Sequence, residues 1–182
     1  MKKFLALAAT AAVALTMSSS AMAATADGTL GATSTGTVDV TLTIDEQFQI
    51  SNITGSTDFQ FGTYSGTGDL TANRDLCVYH NGDGSYGITI DDDTATAGFN
   101  VENGGGDAIT MAVNWNDVTG TAGSVAATES TEIVSTGANT TIADCSAGGN
   151  SANLEVTLLE ADLQAANAGS YAAELSLVVD PD

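Results

Sequence analysis

Apolar and polar residues alternate strictly through several short stretches of this chain, and a period of two puts every second side chain on one face of a strand. Val38, Val40, Leu42 and Ile44 make one such face, with Thr37, Asp39, Thr41 and Thr43 opposite. Ile109, Met111, Val113 and Trp115 make a second, and Leu154, Val156 and Leu158 a third. Near the end, Tyr171, Ala173, Leu175, Leu177 and Val179 point one way while Ala172, Glu174 and Ser176 point the other. One apolar face per strand is the pattern of an antiparallel sheet packed on a second sheet, so the fold class is all-β, a two-sheet sandwich.

The segments between these strands are dense in Gly, Thr, Ser, Asn and Asp, with proline confined to Pro181. Such punctuation of short β-prone runs suits a sandwich or barrel. Between Leu76-Cys77-Val78-Tyr79 and Tyr86-Gly87-Ile88-Thr89-Ile90 lie His80 to Ser85, with an Asn81-Gly82 step that favours positive φ, and the pattern predicts a hairpin there. Residues 160–168 form the one helical pattern after the N-terminal leader, predicted as a single short turn that Gly169 ends before the last strand. Glycine and threonine recur without a fixed period, so the chain is not a repeat array.

The N-terminus changes the compartment. Lys2 and Lys3 precede an uncharged Ala/Leu-rich run from Phe4 to Met17, which is shorter than the roughly 20 residues a membrane helix needs, and Ala21-Met22-Ala23 offers small residues for cleavage. We read residues 1–23 as a signal peptide and the product as exported and not membrane-spanning. Cleavage leaves Arg74 as the single Lys or Arg against 23 acidic residues, a formal charge of −22. Charge of that sign repels phosphates and excludes nucleic acid as a partner. In an exported chain, two cysteines imply one disulfide, Cys77 to Cys145.

The residues offer no catalytic apparatus. Nucleophilic catalysis needs a base beside the nucleophile, and the one histidine, His80, falls in the predicted turn, where it reads as a surface residue. Two distant cysteines and one histidine do not make a zinc set. Asn81, Asp83 and Ser85 alternate in a glycine-rich loop, and Asp91, Asp92 and Asp93 follow the next strand. The calcium-loop motif fails because Tyr86 stands where glycine should turn the chain and no glutamate closes the loop. Trp115 shares its phase with Ile109, Met111 and Val113, which makes it a core residue and not a sugar platform. No metal, cofactor or catalytic residue is assigned.

In order, the segments resemble the pilins of the archaic chaperone-usher pathway, related to the spore coat protein U family. The resemblance runs through Gly36 to Ile44, Phe59-Gln60-Phe61-Gly62-Thr63-Tyr64-Ser65-Gly66, Leu76-Cys77-Val78 leading into Tyr86 to Ile90, and the closing Ala168-Gly169-Ser170-Tyr171 to Val179. It implies an incomplete immunoglobulin-like sandwich whose gap is filled by an N-terminal donor strand from the next copy. Carried over residue by residue, the donor-strand positions are Val38, Val40, Leu42 and Ile44. The expected organisation is a signal peptide (1–23), an N-terminal extension with the donor strand (24–45) and a pilin-like sandwich (46–182). The implied function is that of a structural, non-enzymatic subunit of a fimbria, forming a homo-polymer at the cell surface for adhesion or biofilm. The implied partners are a periplasmic chaperone and an outer-membrane usher. Two alternatives stay open from the residues alone: that 36–44 is the first strand of a self-complete monomer, and that the chain is a secreted acidic module binding cations or glycans.

Overall fold

A computed structural model describes residues 25–53, 59–146 and 149–182, so the expected signal peptide lies outside the described residues. The chain divides into two compact units, one ending at Ile44 and one spanning Asp45–Asp182.

In the first unit, Ala26 and Thr37 exchange two backbone hydrogen bonds, at 3.2 and 2.9 Å, that close the intervening loop. The strand predicted over 36–44 joins no ladder beyond that bridge. Val38, Val40, Leu42 and Ile44 are 76%, 88%, 82% and 74% exposed. An extended ribbon needs a neighbouring edge for its backbone groups, and the period-two pattern supplies side chains but no such edge.

The second unit is the sandwich. Its strands are β1 (Phe48–Ser51), β2 (Leu70–His80), β3 (Tyr86–Asp92), β4 (Asn100–Glu102), β5 (Ala108–Asn116), β6 (Val125–Ala126), β7 (Ile133–Ser135), β8 (Ala152–Leu158) and β9 (Leu175–Asp180). One short helix, α1 (Glu160–Ala165), lies between β8 and β9, where the single turn was expected. The larger sheet has the order β1-β2-β8-β5-β4, with β6 also on β5, and the smaller has β7-β3-β9. Every named strand pair is antiparallel.

Register explains the core. Leu70 and Met111 both pair with Leu158, Ala72 and Val113 with Val156, and Trp115 with Leu154, so each row sets apolar side chains next to one another. Ile109, Met111, Val113, Trp115, Leu154, Val156 and Leu158 are all buried, facing Tyr86, Ile88 and Ile90 of the other sheet. The opposite face of the larger sheet is polar, with Thr71 on Thr157 (3.0 Å), Asn114 on Glu155 (3.0 Å) and Asn153 on Asp75 (2.8 Å).

The predicted hairpin is corrected. β2 and β3 belong to different sheets, and residues 81–85 carry the chain from one to the other. Both edges of the last part of β2 are already taken. β1 pairs with residues 77–80, and on the other edge the Asn139 amide donates to the Val78 carbonyl (2.7 Å) while the His80 amide donates to Asn139 (3.1 Å). The positive φ of the turn sits at Gly84 (92°) and not at Asn81-Gly82. His80 is also not a surface residue. It is 4% exposed, ending β2 with its imidazole stacked on Phe48 at 4.4 Å. Cys77 and Cys145 form the disulfide, with Cα atoms 5.8 Å apart, tying β2 to the loop before β8.

Candidate functional site

The predicted inward row of the last strand behaves unlike the others. Ladder pairing begins at Leu175, and Leu175 and Leu177 are half-buried where their counterparts on β5 and β8 are buried. β9 pairs with β3 on one edge, and among the described residues no strand pairs with its other edge. Beside that edge lies a groove of about 920 Å³ that opens the sandwich lengthwise.

The groove is built from three parts. Its floor is the inward face of the larger sheet, at Leu70, Ile109, Met111, Leu154, Val156 and Leu158. One wall is the ladder-free segment Phe59 to Tyr64, and the other holds Tyr171, Ala173, Leu175 and Leu177. Leu163 and Ala166 from the α1 region also line it. Before β9 the chain crosses from one sheet to the other. Ala172 exchanges two 3.0 Å backbone hydrogen bonds with Glu102 of β4, and then the Asp93 amide donates to the Glu174 carbonyl at 3.1 Å. β1 also packs against β9.

Polar side chains, Tyr64 and Asn167 among them, also line this slot. The Asp107 carboxylate accepts from the Asn103 and Asn167 side-chain amides at 2.9 and 3.1 Å, and those bonds hold its pKa below the ordinary 3.8. Burial first, and then the Glu160 carboxylate, push the Tyr64 phenol above its ordinary 10.0. An apolar trough with an unsatisfied strand edge along one side suits one class of ligand, an extended peptide that adds backbone hydrogen bonds to the edge and lays alternate side chains on the floor.

The candidate residues separate accordingly. Cys77 and Cys145 come together as the disulfide. Val38, Val40, Leu42 and Ile44 lie in the other unit, on the exposed segment already described. Among the described residues no cluster of three or more His, Cys, Asp or Glu side chains converges, and no helix is long and apolar enough to cross a membrane. The loop carboxylates weighed for calcium cap turns instead. Asp83 accepts from the Ser85 amide at 2.9 Å, which lowers its pKa, and Asp92 accepts from Thr94 and from the Asn100 amide. Sequence periodicity had no means of finding the Phe59 to Tyr64 wall or Leu163, because neither lies on a strand. The visible signal was aromatic residues at Phe59, Phe61 and Tyr64 among Gly62, Gly66 and Gly68, all three glycines adopting positive φ.

No family model matches this chain, and no curated protein does. Among solved structures it is similar to one described as a chaperone–tip adhesin complex vital for synergistic activation of CFA/I fimbriae biogenesis, at 14% identity and a TM-score of 0.46. The match covers 76% of this chain and 43% of that one, so this chain spans less than half the length of that neighbour.

Proposed function

We propose that this chain is the structural subunit of an extracellular fibre in which residues 36–44 of one copy lie in the groove of the next and complete its sandwich. The observation that carries the reading is the apolar groove beside the unpaired edge of β9. A segment of matching character exists in the same chain. Four apolar residues alternate through Val38, Val40, Leu42 and Ile44, and four alternating inward positions, Tyr171, Ala173, Leu175 and Leu177, line the wall. Each of the four donor side chains contributes roughly 1.5–3 kcal/mol when moved from water to a buried site.

An open groove with a bare strand edge is an aggregation hazard. It therefore calls for an escort during export, and the resemblance of the sequence assigns this to a periplasmic chaperone and an outer-membrane usher. The chain acts in this reading as a non-enzymatic building block at the cell surface. Its −22 mature charge keeps unassembled copies apart in solution.

The test is removal of residues 24–44 behind the intact leader. Electron microscopy of producing cells should show fibres with the full chain and none with the deletion, while the deleted chain still melts cooperatively near the temperature of the full-length subunit. A full chain that stays monomeric and loses much of its melting temperature on deletion refutes the proposal and points to the monomeric binding module.

A further inference from the structure

Segments leading out of a domain toward a terminal extension are ordinarily where order begins to fail. Here the opposite holds. Asp45 to Gln47, the three residues between Ile44 and β1, span about 10 Å when extended. Asn81 holds both of their ends. Its Oδ1 accepts from the Gln47 amide at 2.9 Å, its Nδ2 donates to the Asp45 carbonyl at 2.9 Å, and its own amide donates to the Gln47 carbonyl at 3.3 Å. The mount behind this clamp is itself fixed. Phe48 is in register with His80 and stacked on its buried ring, and a Cβ at Gly82 would stand 2.6 Å from that ring, so the turn lies directly on the imidazole.

Resting on the strand donation proposed above, we infer that Asn81 is a positioning residue that sets the joint between successive copies. A strand seated in a neighbour's groove is followed, within about 10 Å of chain, by its own sandwich. With Asn81 gripping Asp45 and Gln47, the chain at the base of the donated strand is held to the turn. Without it, the connection becomes a short flexible linker.

Two substitutions separate the bonds. Asn81→Ala removes both side-chain contacts, whereas Asn81→Asp keeps the acceptor for the Gln47 amide and loses the donor to Asp45. Hydrogen exchange of the Gln47 amide should quicken by about tenfold in Asn81→Ala, the scale of one lost hydrogen bond, and much less in Asn81→Asp. Fibres of Asn81→Ala should form in normal amount, since residues 36–44 and the groove are untouched. Their bending persistence length in electron micrographs should fall about twofold or more, as a fixed arm becomes a flexible one, with Asn81→Asp intermediate. Fibres of unchanged stiffness alongside faster Gln47 exchange overturn the inference while leaving strand donation standing. Should Asn81→Ala fail to fold, Gln47→Pro removes one of the same bonds from the other side, and stiff fibres from that variant count equally against it. Absence of fibres from the unaltered chain overturns both readings together.

Discussion

Leu42 separates the donated strand from a strand of the same chain most sharply. Its side chain is 82% exposed in the single subunit, so truncating it there removes no packing. Leu42→Ala should leave the melting free energy of the monomer within about 0.5 kcal/mol, the range for surface changes away from special features. In the groove the same side chain would rest on a floor made of residues such as Met111, Val156 and Leu158, which are little exposed to water. Removing it then costs the lost transfer energy together with the void left behind, about 2–5 kcal/mol for leucine to alanine. At 1.4 kcal/mol per factor of ten, even the lower end is a loss of about 30-fold in affinity. The assay is fluorescence anisotropy of a labelled peptide covering residues 36–46, titrated into the subunit, with the wild-type and Leu42→Ala peptides compared. Calorimetric melts of the two full chains run alongside. Equal affinities refute burial of Leu42 in the groove. A monomer destabilised by 2 kcal/mol or more refutes its being surplus to its own fold.

Two further outcomes follow from the core. The Cys77–Cys145 bridge has a sequence separation of 68, for which the chain-entropy estimate gives about 4 kcal/mol. Replacing both cysteines by serine should lower the melting temperature by about 10–15 °C, measured by circular dichroism, and a drop under about 3 °C contradicts that account. Tyr86 is fully buried, and burial raises its phenol pKa above the ordinary 10.0. Because the folded state favours the neutral phenol, that contribution is whole below pH 10 and is lost as pH rises through the higher folded value. Tyr86→Phe should shift alkaline unfolding to higher pH, followed by circular dichroism, and an unchanged midpoint counts against burial as the cause.

Where a strand carried a strict period-two pattern and its partners flanked it, the residues alone were enough. β5 and β8 bury Ile109, Met111, Val113, Trp115, Leu154, Val156 and Leu158 as the alternation predicts, and α1 is the single short turn. Alternation encodes which face is dry, and that is a local property of the chain. It does not encode which edge finds which partner. The Asn81-Gly82 turn has the chemistry of a hairpin turn, yet the edges of β2 go to β1, β8 and the Asn139 segment, and those of β3 go to β7 and β9.

His80 was misplaced for a related reason. Its burial comes from Phe48, which the fold brings onto it from 32 residues earlier in the sequence. The disulfide, the buried faces of β5 and β8 and the acidic balance are written in the residues themselves. The groove was not, because a groove is what remains when the edges of β9 and the Phe59 to Tyr64 wall are placed and no described strand lies between them. Side-chain pattern is fixed residue by residue, whereas edge pairing is a competition among distant segments for the same backbone groups, and the tertiary structure alone decides it.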